Sequence, residues 1–291
     1  MHSKTAVVCR AQCVVGLLLM LGISIIPVSA GAAPVKTDTD GLVTGEISVP
    51  TDGFEIPAYF ARPNEGRRWP LILLIHGSFG DSDFMRDMCR RFAKEGYFAI
   101  VPDLFARRMD AETRKLPDTQ RMLKIVAEIQ PHTPIPQMTE DCRATLAWGH
   151  SNGGDRQTVG LCTFESGGRI AMHLSGAKTG PAAVVMYSPI MIEFASPELD
   201  GLRQPFELVG RSKAAILAHI PRRFGEVELE VEKLEETFEQ TIKENVLAGK
   251  VILYQRSFSH FFDDTQRKYN EKAALNAWKE TLEWFREHGV K

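Results

Sequence analysis

The sequence predicts an α/β fold with a mostly parallel central sheet and helices on both faces. Two observations lead there. Apolar runs of strand length recur along the chain, the clearest being Leu71-Ile72-Leu73-Leu74-Ile75. Such uninterrupted runs suit parallel strands covered on both sides. Segments of helical spacing alternate with these runs, which is the sequence pattern of an α/β architecture. There is no internal repeat and no second core, so residues 43–291 are read as one domain.

The elements follow in order. Lys4 and Arg10 precede an uncharged apolar stretch from Cys13 to Ile26, and Val28-Ser29-Ala30 supplies small residues at a cleavage site. That is the pattern of a signal peptide over residues 1–30, which predicts a periplasmic or secreted protein. Cleavage after Ala33 would leave Pro34 at the new terminus, which disfavours it. An uncleaved anchor is the alternative, since the uncharged run continues to about Val35. No cysteine follows the apolar stretch, so a lipid anchor is not indicated.

Residues 31–42 read as a polar tether. Val43–Val49 and Phe54–Phe60 read as a hairpin around Pro50-Thr51-Asp52-Gly53. After the strand at Leu71, Met85–Glu95 has helical spacing. Gly96 ends it, and Phe98–Val101 is the next strand. Thr139–Trp148 reads as helix, Thr158–Cys162 as strand, Gly168–Leu174 as helix and Ala182–Tyr187 as strand. Ala214–Ile220 reads as strand, Val231–Glu244 as a charged amphipathic helix, Val251–Tyr254 as strand and Tyr269–His288 as a closing helix.

Composition narrows the function classes. Hydrophobic residues make up 44% and charged residues 25%, as in an ordinary globular protein, which argues against disorder. The net charge of -2 is spread without a basic stripe, so no nucleic-acid partner is expected. No membrane partner is expected after signal cleavage. Cys89, Cys142 and Cys162 remain in the mature chain, and an odd count leaves at least one free thiol. Oligomeric state is not legible.

Several segments together resemble the dienelactone hydrolase family within the α/β-hydrolases. Pro70 to Gly77, with Gly80, resembles that family's strand and oxyanion loop. Ala93-Lys94-Glu95-Gly96-Tyr97, followed by Val101-Pro102-Asp103-Leu104-Phe105-Ala106-Arg107, resembles a family signature. Tyr254, Ser259-His260-Phe261-Phe262-Asp263-Asp264, Tyr269 and Ala273 through Trp278 resemble the segment around the catalytic histidine. The likeness covers about residues 43–288. It implies an α/β-hydrolase fold, a small ester or lactone-type substrate and no cofactor.

The resemblance also locates a site, with departures. The family places a nucleophile on a sharp strand-to-helix turn, flanked by small residues and backed by a helix N-terminus. Without gaps, Thr163 to Arg169 falls on that elbow, with Ser166, Gly167 and Gly168 around the turn and Glu165 at the nucleophile position. Cys162 and Ser166 are rivals, each with Phe164 where the turn wants a small residue. Gly149-His150-Ser151-Asn152-Gly153 matches the G-x-S-x-G string, but a helix precedes it. Cys162 has a second reading, as a small buried strand residue.

His260 is expected to act as the base, against the alternative of a loop histidine that only packs. The orienting acid should follow the strand at Ala214. No Asp occurs there, and either Glu226 or Glu228 takes that role or both belong to a solvated face. In the oxyanion loop Gly77 stands where many relatives carry Glu, leaving the amides of Ser78 or Phe79 to approach a ligand. Glu165, His260 and a further carboxylate match zinc or manganese donors. No spaced ligand motif supports this, so no metal is expected. Two functions stand against each other: a hydrolase working through Glu165 and His260, and a non-catalytic binding protein that keeps the pocket.

Overall fold

The computed structural model describes residues 36–176, 180–190, 208–209, 212–224, 227–228, 231–244 and 248–291. The predicted signal peptide lies outside them, as does Glu226. The described strands are β1 (Leu42–Thr51), β2 (Phe54–Pro63), β3 (Trp69–Ile75), β4 (Phe98–Pro102) and β5 (Gly154–Phe164), then β6 (Ala183–Tyr187), β7 (Ala215–Phe224), β8 (Val227–Glu228) and β9 (Gly249–Phe258). They form one sheet in the order β1-β2-β4-β3-β5-β6-β7-β8, with β9 also on β7.

The pairings β3–β4, β3–β5, β5–β6, β6–β7 and β7–β9 are parallel. The N-terminal hairpin is antiparallel and closes where Thr51 faces Phe54 across Asp52-Gly53. Gly53 has φ +65°, a conformation that favours glycine. The expected mostly parallel sheet is therefore present.

The helices are α1 (Asp83–Lys94), α2 (Ala111–Lys115), α3 (Asp118–Lys124), α4 (Ile135–Ser151), α5 (Gly167–Ser175), α6 (Val231–Glu244) and α7 (Glu271–Glu287). Caps explain two of the starts. The Ser82 side chain accepts from the Met85 amide, and the Asn270 side chain accepts from the Ala273 amide.

Strand side chains alternate between two cores. Ile72, Leu74, Cys162, Phe164, Val185 and Leu217 face the layer of α1 and α7, with Phe92 and Phe285 at its centre. Leu73, Ile75, Leu161, Val184, Met186 and Ile216 face Met138, Ile170, Met172 and Phe238 on α4, α5 and α6. This alternation is why the strands read as uninterrupted apolar runs.

Two features lie beyond the sequence reading. Helices α2 and α3, with a π-helical turn at Ile125–Ile129, fill the stretch after β4. Strand β7 runs on to Phe224 and turns back into β8, pairing Arg223 with Glu228. The N-terminal segment also docks on α1. The Thr37 amide donates to Asp87 Oδ1 at 2.7 Å, and Arg90 Nε donates to the Thr37 carbonyl.

Candidate active site

The site lies where parallel strands end, as is usual for α/β sheets. Strand β5 ends at Phe164, and α5 begins at Gly167 with Ser166 before it. Between them Glu165 has φ +48°, a left-handed conformation that costs a non-glycine residue of order 1–3 kcal/mol. Backbone bonds hold it there: the Glu165 amide donates to the Tyr187 carbonyl at 2.9 Å, and its own carbonyl accepts from Ile190 at 3.1 Å. Gly167 is required by close approach, since a Cβ there would lie 2.6 Å from the Ile75 carbonyl oxygen. Glu165 therefore occupies the apex of the elbow, as the ungapped match predicts.

Its side chain turns inward and is 3% exposed. Oε2 accepts from the Ser78 amide at 3.1 Å. Oε1 lies 2.7 Å from His260 Nδ1. The His260 ring is thus the counter-charge at Oε1. Burial alone would raise the Glu165 pKa, but the His260 charge and the Ser78 amide reverse this and hold it below the ordinary value. Burial likewise works against a charged His260, and the Glu165 carboxylate overcomes it, raising the His260 pKa. Each group thus favours the charged form of the other, at the positive end of α5.

His260 follows β9 in a tight turn whose Asp263 amide donates to the His260 carbonyl at 3.1 Å. Its ring meets Phe79 edge-on at 5.1 Å. Arg91 on α1 ties down the segment behind, reaching Asp87 and, at 2.6 Å, Asp264. Gly77, Phe79, Gly80, Ser82, Phe84 and Met85 form one wall of a cavity, and Phe164, Glu165, His260, Phe262 and Asp263 the other. The cavity measures about 20 Å³, room for one water molecule.

The oxyanion loop is fixed from behind. His76 is buried and neutral: burial lowers its pKa, Nδ1 donates to the Gly77 carbonyl at 3.0 Å and Nε2 accepts from the Leu104 amide at 3.0 Å. One expectation for this loop changes. The Ser78 amide does not stand free for a ligand, because the Glu165 carboxylate already uses it. The Phe79 amide has no partner among the described residues. Gly77 makes room for this arrangement, since a Cβ there would lie 2.5 Å from Glu165 Oε2.

The rival nucleophiles lie elsewhere. Cys162 is fully buried inside β5, and burial pushes its thiol pKa up. Ser166 is buried and helical, one residue past the apex. Ser151 ends α4, and its hydroxyl donates to the Ala147 carbonyl at 3.0 Å. Among the expected acids, Glu228 sits in β8 opposite Arg223. Glu165 itself faces the imidazole nitrogen that such an acid would hold. Asp263 is a site residue that the sequence reading did not single out. Its signal was the acidic pair closing the His260 motif. Among the described residues, no group of three or more His, Cys, Asp or Glu is placed to hold a metal. None of the described helices is long and apolar enough to cross a membrane.

Comparison with known proteins agrees with this geometry. The family model described as "Dienelactone hydrolase family" matches residues 56–289. A Methylorubrum extorquens protein named "Putative carboxymethylenebutenolidase" is 29% identical over 292 residues, covering 99% of this chain and 96% of that protein. A protein of the same name from Escherichia coli K12 is 29% identical over 260 residues, covering 88% of this chain and 92% of that one. A crystal structure titled as a "Putative Dienelactone Hydrolase" from Klebsiella pneumoniae superposes with a TM-score of 0.75 at 25% identity, covering 84% of this chain and 98% of that one. With the sheet order, the elbow and the histidine turn all in place, this chain belongs to the dienelactone hydrolase family.

Proposed function

We propose that this chain is an exported hydrolase of small ester or lactone-type molecules, in which Glu165 stands at the usual nucleophile position and works through His260. The observation that carries the proposal is the elbow itself. A buried carboxylate is held at φ +48° against an imidazole 2.7 Å away. Strain and a desolvated ion pair are both costly, and neither is needed to close a strand-to-helix turn. Their coincidence at the end of the sheet supports a chemical role.

The chemistry differs from acyl transfer to a thiol. Attack of Glu165 on an ester carbonyl would give an anhydride, a poor intermediate. Glu165 Oε2 is also already committed to the Ser78 amide. Glu165 therefore serves to orient and charge His260 through Nδ1, and water is the nucleophile. The sequence assigns His260 the part of base. In this reading the Glu165 carboxylate favours the charged ring, and His260 instead gives its Nε2 proton to the leaving oxygen. The Phe79 amide is one donor available to the developing oxyanion. The names of the relatives, which specify a lactone-cleaving enzyme, support the substrate class.

Assay of the chain from residue 31 onward with short p-nitrophenyl esters and an unsaturated lactone tests the proposal. Turnover that disappears in His260→Ala and in Glu165→Ala is expected. Export is tested by N-terminal sequencing of the mature protein, which should begin near Gly31; an intact Met1 in a membrane fraction refutes cleavage. A second reading, non-catalytic ligand binding, draws on the one-water cavity and the occupied Ser78 amide. It stands if no ester or lactone is turned over while a small ligand raises the melting temperature.

A further inference from the structure

We propose that Asp263 is the general base of this site, taking the proton of the attacking water while His260 protonates the leaving oxygen. The inference rests on the hydrolase reading above and supplies what that reading lacks. With His260 serving as the acid, the water needs another acceptor, and a cavity the size of one water lies beside the pair.

Asp263 borders that cavity together with Glu165 and His260. It sits one tight turn beyond His260, its amide bonded to the His260 carbonyl, and is 5% exposed. Its Oδ1 is held by two donors, the Thr265 amide at 2.9 Å and the Thr265 hydroxyl at 2.6 Å. Its Oδ2 has no partner among the described residues. Elsewhere in the fold a buried carboxylate is fully engaged, as Asp87 and Asp141 show. A nearly buried carboxylate at a cavity wall, with one oxygen anchored and the other unpartnered among the described residues, is placed to receive a proton.

The neighbouring carboxylates are not available. Asp264 faces Arg91 at 2.6 Å, both oxygens of Asp81 bind Arg86, and Glu165 is divided between Ser78 and His260. The charges facing Asp263 are the His260 cation and Asp264, while Lys268 and Glu165 act on His260. Burial raises the Asp263 pKa to about 6, against the Thr265 donors and the His260 charge. Glu165, shifted the other way, is the weaker base.

The step balances. A water O–H bond breaks, its proton goes to Asp263 Oδ2, and the oxygen bonds the carbonyl carbon. The carbon–oxygen bond to the leaving group breaks, and that oxygen takes the His260 Nε2 proton. Products are a carboxylic acid and an alcohol, and the proton on Asp263 returns through solvent to His260.

The test is the pH profile of kcat/KM on p-nitrophenyl acetate and on methyl butyrate. For the wild type, activity should rise near pH 6 as Asp263 ionises and fall where His260 loses its proton. Asp263→Asn should lower kcat by about 10²–10⁴-fold and erase the acidic limb while keeping the alkaline one. Thr265→Ala keeps the base but removes one donor to its charge, so the acidic limb should move to higher pH. It reads the same group if Asp263→Asn fails to fold. An Asp263→Asn enzyme with wild-type kcat, or with both limbs in place, overturns the proposal and leaves the hydrolase reading standing. A wild type that turns over neither ester nor a lactone overturns both.

Discussion

Gly77 and Glu165 should behave as a single unit, which a double-mutant cycle can measure. A Cβ built on Gly77 would meet Glu165 three times over: Oε2 at 2.5 Å, Cβ at 2.9 Å and Cδ at 3.1 Å. Ordinary contact begins near 3.4 Å, so the carboxylate must retreat by most of an ångström. It cannot do so without leaving the Ser78 amide and the His260 ring. Gly77→Ala therefore either strains the packing, at about 1–3 kcal/mol, or breaks a charge-assisted hydrogen bond, at about 1.5–3 kcal/mol. A loss of about 2 kcal/mol is expected by either route.

In a Glu165→Gly background all three clashing atoms are gone, and glycine is at ease at φ +48°. There Gly77→Ala should cost less than about 0.5 kcal/mol, giving a coupling on the order of 2 kcal/mol. Equilibrium urea denaturation of the four proteins reads the cycle directly. If Gly77→Ala costs the same in both backgrounds, the carboxylate does not occupy the space beside the oxyanion loop, and the geometry argued here is wrong.

Two further predictions concern charge and thiols. The raised His260 pKa contributes stability that is full below the ordinary histidine value of 6.5 and fades as pH rises through the folded value, while the lowered Glu165 pKa contributes stability that is full above 4.5 and fades as pH falls through its folded value. The melting-temperature difference between wild type and His260→Gln should therefore peak between pH 4.5 and 6.5 and shrink on either side; a difference independent of pH would refute the ion pair. Cys162→Ala should leave turnover intact and cost roughly 1 kcal/mol, and the folded chain from residue 31 onward should resist thiol reagents, because Cys89, Cys142 and Cys162 are all buried; loss of turnover would return Cys162 to the site.

The sequence by itself determined the architecture, because the signals for it are local and periodic. Leu71–Ile75 and Phe98–Val101 read as buried strands and Ala182–Tyr187 as a strand, and each lies in the sheet with its side chains buried on both faces. The elbow was legible too. Thr163 to Arg169 carries the small residues that a sharp turn requires, and Gly167 is one of them because a Cβ there would lie 2.6 Å from the Ile75 carbonyl oxygen.

Tertiary structure alone decided what faces Glu165. Ser78, Glu165 and His260 are far apart in the chain, and the sheet brings their loops to one end. Nothing in the local pattern says that the Ser78 amide is spent on Glu165 rather than left for a ligand. Nor could it say that Asp263 opens to the cavity while Asp264 binds Arg91, since two adjacent aspartates differ only in which way the turn points them. Helix and strand are written in the spacing of neighbours along the chain, whereas hydrogen-bond partners and burial across the site depend on where distant segments meet.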